Sequence, residues 1–277
     1  MVAQHLASLG QQVELQLAGF GRFTRFSTAA ARWTVRGAGS LRNLRLLLPQ
    51  LYAIGTRSLP VVMVVGAFVG AVMAVETFAQ FAAFGQEERL GGVINISVVK
   101  QIGPVLAAVM IAGRVGGAVS AELGTMRVTE QIDALRVMGA DPISYLVVPR
   151  VIACLIMLPI LTIFSNLLGV FGGYLVTVEG FGVEATAYWR FSNDFVWFWD
   201  VLTGLIKSIV FGLAIGLISC YKGFNCQPGA AGVGKAATDS FVISFIAIIV
   251  VNFFLATFLN DIANMLWGTA GASAFGG

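Results

Sequence analysis

Five long apolar stretches dominate the sequence and decide what kind of fold the chain can adopt. Each has about 20 residues or more, the helical length needed to cross a hydrocarbon layer about 30 Å thick. Only 11% of the residues are charged, far fewer than cover the surface of a soluble domain. The sequence therefore predicts an all-α membrane protein with about five transmembrane helices. The predicted spans are 59–81, 92–113, 146–178, 199–221 and 241–260.

A basic amphipathic segment precedes the first span. Leucines recur at helical spacing between 41 and 51, with Arg42 and Arg45 among them and Pro49 as an interruption. This pattern favours a helix that lies in the membrane interface. The chain then divides into an interfacial N-terminal helical region (1–58), a membrane domain (59–265) with a long polar loop (114–145), and a C-terminal tail (266–277).

The distribution of positive charge predicts the orientation of the spans. Seven of the 17 Lys and Arg residues lie before the first span, and the positive-inside rule places that region in the cytoplasm. If the five spans then cross the membrane in alternating directions, 13 of the cations lie in cytoplasmic segments and two, Arg89 and Arg190, lie in outside loops. We therefore expect the N-terminus inside and the C-terminus outside.

The number of spans also bears on assembly. Five spans cannot be halved into the inverted repeats found in many secondary transporters, which disfavours an ion-coupled carrier. Five helices make a thin wall for a transport pathway, so we expect a homodimer. Glycine pairs at small-xxx-small spacing are candidates for close helix contacts, including the dimer contact. They are Gly66/Gly70, Gly113/Gly117, Gly169/Gly173 and Gly212/Gly216.

A short amphipathic helix is predicted in the polar loop between the second and third spans. Thr129 is placed to cap its N-terminus, and Gly139 marks its end. Ile132, Leu135 and Met138 form an apolar stripe along it. Either this helix lies against its own membrane domain or it docks a cytoplasmic partner, and the pattern alone does not choose between the two.

Several motifs in this region resemble the MlaE (YrbE) permease family. They are Gly113-Arg114-Val115-Gly116, AELGTMR at 121–127, EQIDAL at 130–135 and MGADP at 138–142. Members of this family are the membrane subunits of bacterial ABC systems that move phospholipid between the inner and outer membranes and maintain the lipid asymmetry of the outer membrane. The resemblance extends over most of the chain and implies a location in the bacterial inner membrane.

The resemblance also implies a role for the short helix and a set of partners. The helix near 129–138 would be the coupling helix, which fits an ATPase subunit and transmits its ATP-driven motion. The residues implied in coupling are Glu130, Gln131, Ile132, Asp133, Leu135 and Met138. The other implied partners are a periplasmic MCE-domain lipid-binding protein and a small cytoplasmic STAS-domain protein. No cofactor is expected in this chain, because ATP would be bound by the partner subunit.

A glycine-rich stretch before the last span has the spacing of a nucleotide-binding loop but lacks an essential residue. Gly229, Gly234 and Lys235 fit G-x-x-x-x-G-K, yet Ala236 stands where Ser or Thr would hold Mg²⁺. We therefore expect another chain to supply the energy.

A membrane-embedded lipid-modifying enzyme is the main alternative to a permease. The only histidine is His5, and the sequence shows no nucleophile–base pair, no carboxylate pair within a span and no metal-ligand cluster. No catalytic residue and no metal site are therefore predicted. The net charge of +3 also gives no reason to expect a nucleic-acid partner.

Polar residues in three of the predicted spans fall at a similar depth in the outer half. Lys100 and Lys207 each lie about 12 Å from the outer end of their span, and Gln101 and Asn252 lie at the same level. Glu76 is nearer the outer mouth of the first span. Snorkelling lysines and interhelical hydrogen bonds are one interpretation. We favour a polar cavity, open to the outside, in which these five residues bind an anionic phospholipid headgroup.

At two of these positions the sequence departs from the family pattern. Relatives commonly carry acidic residues where this chain has Gln101 and Asn252. If those acids pair with the lysines in relatives, the pairs are absent here, and the predicted pocket is more cationic.

Overall fold

The computed structural model describes residues 2–37 and 41–267. Within these residues the chain forms helices joined by short turns, and no strand occurs. The α-helices are α1 (Val2–Gly37), α2 (Leu41–Leu51), α3 (Leu59–Ala82), α4 (Leu90–Ser97), α5 (Gly103–Ile111), α6 (Gly117–Val128), α7 (Gln131–Val137), α8 (Val148–Tyr174), α9 (Ala185–Phe195), α10 (Phe198–Phe224) and α11 (Ala230–Trp267).

Five continuous helical segments are long and apolar enough to cross a membrane, which confirms the predicted all-α fold and the order of its spans. Spans 1 to 5 are Arg45–Ala82, Glu87–Val128, Ile143–Gly180, Phe198–Phe224 and Ala230–Leu266. Spans 1 to 3 contain π-helical turns, at Tyr52–Thr56, Val98–Ile102, Ala112–Gly116, Ile143–Val147 and Leu175–Gly180. Such turns widen the helix locally and often mark functional sites.

The helices extend well beyond the apolar stretches that predict them. Span 2 continues to Val128 and span 5 begins at Ala230. Hydropathy marks only the part of a helix that suits hydrocarbon, whereas the helix continues as long as its backbone hydrogen bonds do. The helix predicted at 41–51 is present as α2. It leads into α3 through the π turn Tyr52–Thr56 and a short bend, and its position in the membrane interface stays a prediction.

Span 3 lies at the centre of the bundle, between spans 1 and 4. A Cβ atom on Gly70 of α3 would overlap the backbone of Gly169 on α8. On the other side of α8, a Cβ atom on Gly212 of α10 would lie 2.6 Å from the carbonyl oxygen of Cys154. Missing Cβ atoms thus allow both neighbours to approach the backbone of α8, as small residues do in other membrane bundles.

The predicted glycine pairs therefore lie at contacts within this chain. Gly66 and Gly70 face α8, and Gly212 and Gly216 face it from α10. Gly169 and Gly173, on α8 itself, face α3 and α4. A Cβ atom on Gly113 would be 3.4 Å from the ring of Phe241, and one on Gly117 would be 4.0 Å from the carbonyl oxygen of Ala237, so this pair packs more loosely against α11. The glycine pairs thus have packing partners that do not require a second subunit.

The outermost spans leave most of their apolar surface uncovered. Only 17% of the most apolar stretch of span 5 and 28% of that of span 1 are buried, compared with 61% for span 3. Large apolar side chains of α11, including Phe253 at 67% and Phe254 at 65%, are exposed. These surfaces must face lipid or another protein chain.

Two short helices mark the opposite ends of the bundle, which we call the α7 end and the α9 end. At the α7 end, Phe23 and Phe26 of α1 pack against Tyr221 near the end of α10. At the α9 end, Tyr188 is fully buried and donates a 3.0 Å hydrogen bond to Asn95 of α4. Burial raises the pKa of Tyr188 to about 12, so its hydroxyl remains a donor throughout the physiological range.

The glycine contacts can be tested through stability. We expect Gly70→Ala to lower the apparent melting temperature of the purified protein, because the added methyl overlaps the α8 backbone and overpacking typically costs about 1–3 kcal/mol. The control is Gly234→Ala in α11, where an added Cβ has no neighbour within 4 Å. Equal melting temperatures for the two variants would contradict the backbone contact.

Candidate functional site

A cluster of polar side chains joins spans 2 and 4 in their α9-end halves. Lys100 and Gln101 lie in the π turn Val98–Ile102 of span 2, and Lys207 lies on α10. The Lys207 Nζ donates hydrogen bonds to the side-chain oxygen of Gln101 and, at 3.4 Å, to the carbonyl oxygen of Lys100. The structure thus brings three of the five predicted substrate-binding residues into one network.

Close backbone packing explains why Lys207 reaches span 2. A Cβ atom on Gly204, one turn before Lys207, would overlap the carbonyl oxygen of Val99. The π turn also matters, because a bulged turn leaves carbonyl groups without their usual intrahelical partners. The carbonyl oxygens of Val99 and Lys100 both accept side-chain hydrogen bonds, from Asn166 and Lys207 respectively.

Sequence analysis missed an acidic member of this cluster. The Asp200 Oδ1 lies 2.9 Å from the Lys100 Nζ, and the Asp200 side chain is only 10% exposed. Its other oxygen accepts a 3.1 Å hydrogen bond from the backbone N–H of Trp197, at the start of α10. An acidic residue at the third position of a helix is a recognisable N-terminal capping signal, and it could have placed Asp200 at the start of α10. We call Lys100, Gln101, Asp200 and Lys207 the charged site.

The ion pair changes the predicted charge of the site. Two lysines without acidic partners were expected, but Asp200 neutralises Lys100. The Lys207 ammonium, by contrast, is held by neutral oxygens. Lys207 is also only 1% exposed, whereas the Lys100 side chain is 28% exposed. The Lys207 ammonium is therefore closed off from solvent in this structure, and the open cavity suggested by the sequence stays a prediction. An anionic ligand could reach Lys207 only if the helices around it moved.

An asparagine from span 3 lies beside the charged site and was not predicted. The Asn166 side chain donates a 3.4 Å hydrogen bond to the carbonyl oxygen of Val99, while its own buried oxygen has no hydrogen-bond partner. A Cβ atom on Gly103 would overlap that oxygen, so Gly103 makes room for it. The site therefore contains an acceptor that is available to a donor group.

The remaining two predicted residues are not part of this network. Asn252 forms no hydrogen bond to either lysine, and its buried side-chain oxygen has no partner. Glu76 is exposed on the surface of α3. Their proposed roles in substrate binding therefore remain predictions.

The second candidate site is the segment around α7. The helix begins at Gln131, and the residue before it, Glu130, has a left-handed backbone with φ of 59°. Thr129 does not cap α7, as the sequence suggested. Its hydroxyl instead donates a 2.8 Å hydrogen bond back to the carbonyl oxygen of Thr125, because Thr129 continues the last turn of α6.

The predicted apolar stripe of α7 is divided between two environments. Ile132 is fully buried and Leu135 packs partly against the main core, so these two residues attach α7 to its own membrane domain. Met138 is 72% exposed, and its neighbour Val137 is 90% exposed. The exposed residues of α7 and of the positions next to it are Glu130, Gln131, Ala134, Arg136, Val137 and Met138. The packing of α7 against its own membrane domain is thus observed for one face of the helix, and docking of a cytoplasmic partner on the exposed face stays a prediction.

Asp133 lies between two arginines. The Arg127 and Arg136 Nη1 atoms each lie 2.8 Å from an oxygen of its carboxylate. Arg127 belongs to α6, so the carboxylate attaches α7 to the end of span 2. A cavity of about 380 Å³ opens beside this attachment. It is lined by Arg136, Gly139, Ala140, Asp141, Pro142, Ile143 and Phe224.

Comparisons with known proteins agree with this architecture. A family described as Permease MlaE matches residues 47–258, which include the charged site and α7. The chain belongs to the MlaE permease family. A probable ABC transporter permease protein of Rickettsia felis is 42% identical over 248 residues, 90% of this chain and 95% of the relative.

Two further permeases are similar to this chain. A probable ABC transporter permease of Synechocystis is 44% identical over 214 residues, 77% of this chain and 81% of the relative. The intermembrane phospholipid transport system permease protein MlaE of Haemophilus influenzae is 30% identical over 262 residues, 94% of this chain and 98% of the relative. The similarity to these permeases therefore covers most of this chain.

The ion pair in the charged site predicts a specific pattern of stabilities. We expect Asp200→Asn to lower the apparent melting temperature, because it leaves the Lys100 charge unpaired at a cost of up to about 3 kcal/mol. The double variant Lys100→Met/Asp200→Asn should regain most of the loss, since no unpaired charge remains.

The more exposed pair Lys222–Asp239, with a separation of 3.6 Å, is the matched control. The same substitutions there should have little effect and little coupling. If the two effects at Lys100 and Asp200 were simply additive, the ion pair would have no energetic role.

Proposed function

We propose that this permease moves phospholipid between the inner and outer membranes of a bacterium as the membrane subunit of an ABC transporter. The observation that best supports this proposal is the similarity, over 94% of the chain, to a permease named for intermembrane phospholipid transport. The relative from Rickettsia felis, named a probable ABC transporter permease, supports the transporter class. ATP would then be hydrolysed by a partner chain, and the transport would contribute to the lipid asymmetry of the outer membrane.

The orientation follows from the charges at the two ends of the bundle. The α7 end carries the excess of Lys and Arg, and such an excess is typical of the cytoplasmic side. In this proposal the N-terminus lies in the cytoplasm, the C-terminus lies in the periplasm, and the charged site lies in the periplasmic half of the membrane. This arrangement places α7 where a cytoplasmic ATPase can reach it.

We propose that Lys207 binds the phosphate of the lipid headgroup. Its ammonium is buried and held by neutral oxygens, and a phosphate would provide the opposite charge that these oxygens lack. Asn166 contributes its unpartnered oxygen to the headgroup region, and the acyl chains would lie between apolar helix surfaces. Lys100 orients the site through Asp200 and does not bind the phosphate by itself.

The assembly of the transporter is also proposed from surfaces and resemblance. The uncovered apolar faces of spans 1 and 5 supply the area that a homodimer would bury. The exposed face of α7 would contact the ATPase subunit. An MCE-domain protein at the periplasmic side and a STAS-domain protein at the cytoplasmic side would complete the complex.

The lipid proposal predicts a loss of bound phospholipid in Lys207→Met. A charge-assisted hydrogen bond to phosphate is worth about 1.5–3 kcal/mol, so affinity should fall about tenfold or more. Gln101→Glu should also reduce binding, because a carboxylate would compete with the phosphate for Lys207. The measurement is phospholipid retained per permease by mass spectrometry.

Lys222→Met is the control for the lipid experiment, since Lys222 lies at the other end of the same helix and pairs with Asp239. Lipid retention and transport at wild-type levels in Lys207→Met would show that Lys207 has a structural role and does not bind phosphate.

The docking proposal predicts that Val137→Asp weakens association with the ATPase subunit. Val137 is 90% exposed, so the substitution leaves the permease folded while placing a charge in an apolar contact, at a cost of about 2 kcal/mol or more. Leu135→Asp should instead destabilise the permease itself, because Leu135 packs against its own core.

Co-purification of the ATPase with each variant, together with the melting temperature, separates these effects. Gln227→Asp, an exposed substitution before α11, serves as the control at the same end of the bundle. Undiminished association of Val137→Asp would refute this docking face.

A further inference from the structure

The α7 helix is linked to the same two spans that form the charged site. Asp133 pairs with Arg127 at the end of span 2 and with Arg136 on α7 itself. The guanidinium carbon of Arg136 lies 5.9 Å from the ring centroid of Phe224, the last residue of span 4. An arginine at this distance above an aromatic ring is attracted to it. Arg136 thus connects the ends of both spans through Asp133 and Phe224.

At the other end of these spans, the charged site joins them again. Span 2 contributes Lys100 and Gln101, and span 4 contributes Asp200 and Lys207. Lys207 precedes Phe224 by 17 residues on the continuous helix α10, a distance of about 25 Å along its axis. A movement of α10 at Phe224 therefore affects the position of Lys207 relative to Gln101.

A tight backbone contact lies between the two connections. A Cβ atom on Gly223 would lie 2.6 Å from the carbonyl oxygen of Ser120 and 2.8 Å from the Cβ of Leu123. This contact involves main-chain atoms, which cannot adjust by changing rotamers, and it is adjacent to Phe224. The contact at Gly223 is therefore placed to act as a pivot for span 4. Phe224 and α7 lie close to it on one side, and the charged site lies farther away along α10 on the other.

The connection at Arg136 differs from the Gly223 contact because the side chains that form it have space to adopt other conformations. The side chains of Arg136 and Asp133 are 52% and 47% exposed, so their ion pair is screened and weak. Arg136 and Phe224 also line the cavity of about 380 Å³, which gives both side chains space to reorient. A weak link beside a cavity can adopt more than one arrangement, whereas close-packed contacts cannot.

We propose that Arg136 is a positioning residue that transmits movement of α7 to α10 through Phe224, and thereby controls the separation of Lys207 from Gln101. This inference rests on the proposed function, in which an ATPase subunit moves α7 and phospholipid enters at Lys207. Asp133 holds Arg136 in place and connects it to span 2. Movement of α7 would then pivot span 4 against span 2 about Gly223 and open the charged site.

The test is the number of phospholipids transported per ATP hydrolysed by the permease–ATPase complex in liposomes. We expect Arg136→Gln to reduce this ratio about fivefold or more, in the range of typical coupling effects, while the ATPase remains bound and active. Phe224→Leu should have the same effect, and Phe224→Trp, which retains an aromatic face, should preserve coupling. The combined variant Arg136→Gln/Phe224→Leu should be no worse than either alone, because both substitutions break one link.

Two control variants distinguish a loss of transmitted movement from a general disturbance of the structure. Lys222→Gln removes a neighbouring cation of α10 that pairs with α11, and Phe26→Leu removes another ring that packs against Phe224. Both variants should keep the wild-type ratio. A wild-type ratio in Arg136→Gln, or loss of the bound ATPase in that variant, would overturn the proposal.

A distance measurement distinguishes this inference from the proposed function. Spin labels at Gln86→Cys and Phe198→Cys, which are exposed near the α9-end starts of spans 2 and 4, should report a nucleotide-dependent change in the wild-type complex, with Cys226 replaced by Ser. Arg136→Gln should abolish that change. If the wild-type complex hydrolyses ATP without moving phospholipid, the proposed function fails, yet the distance change still tests the link. An unchanged response in Arg136→Gln would refute the link even if transport is demonstrated.

Discussion

The close approach of helix backbones at glycine is the interaction on which the rest of this bundle depends. In hydrocarbon, apolar side chains gain little by leaving lipid for protein, so helices associate through close packing and polar contacts. Gly70 and Gly212 allow spans 1 and 4 to reach the backbone of span 3 from opposite sides. Gly204 brings span 4 against the π turn of span 2. The charged site exists because this last contact places Lys207 beside Gln101.

The charged site illustrates how a membrane protein keeps ionisable groups at depth. Lys100 is neutralised by Asp200 across the interface between two helices. Lys207 donates hydrogen bonds to two neutral oxygens, the carbonyl of Lys100 in the π turn and the amide side chain of Gln101. Burying such a cation in a membrane span costs free energy, and buried charges of this kind usually have a function. In the proposed function, this cation binds a phosphate-containing ligand that enters when spans 2 and 4 separate.

The contacts between the helices differ in how easily they can rearrange. Main-chain contacts midway along the helices, such as Gly212 against Cys154, hold them at a fixed separation. The link at the α7 end consists of half-exposed side chains next to a cavity, so it can rearrange at low cost. Rigid helices with an adjustable connection at one end are well suited to transmit a movement over the length of a membrane span.

The sequence by itself determined the class of fold, the order of the five spans and the identity of the family, because these properties depend on local hydropathy and on contiguous motifs. It also identified Lys100, Gln101 and Lys207, since charged and polar residues within apolar stretches are conspicuous. Only the tertiary structure decided that Asp200 neutralises Lys100, that Lys207 is closed off from solvent, and that Ile132 is buried while Met138 is exposed. These features depend on contacts between residues far apart in the chain. Their geometry is set by backbone approach at glycine and by helix packing, neither of which is visible in the spacing of residues along one helix.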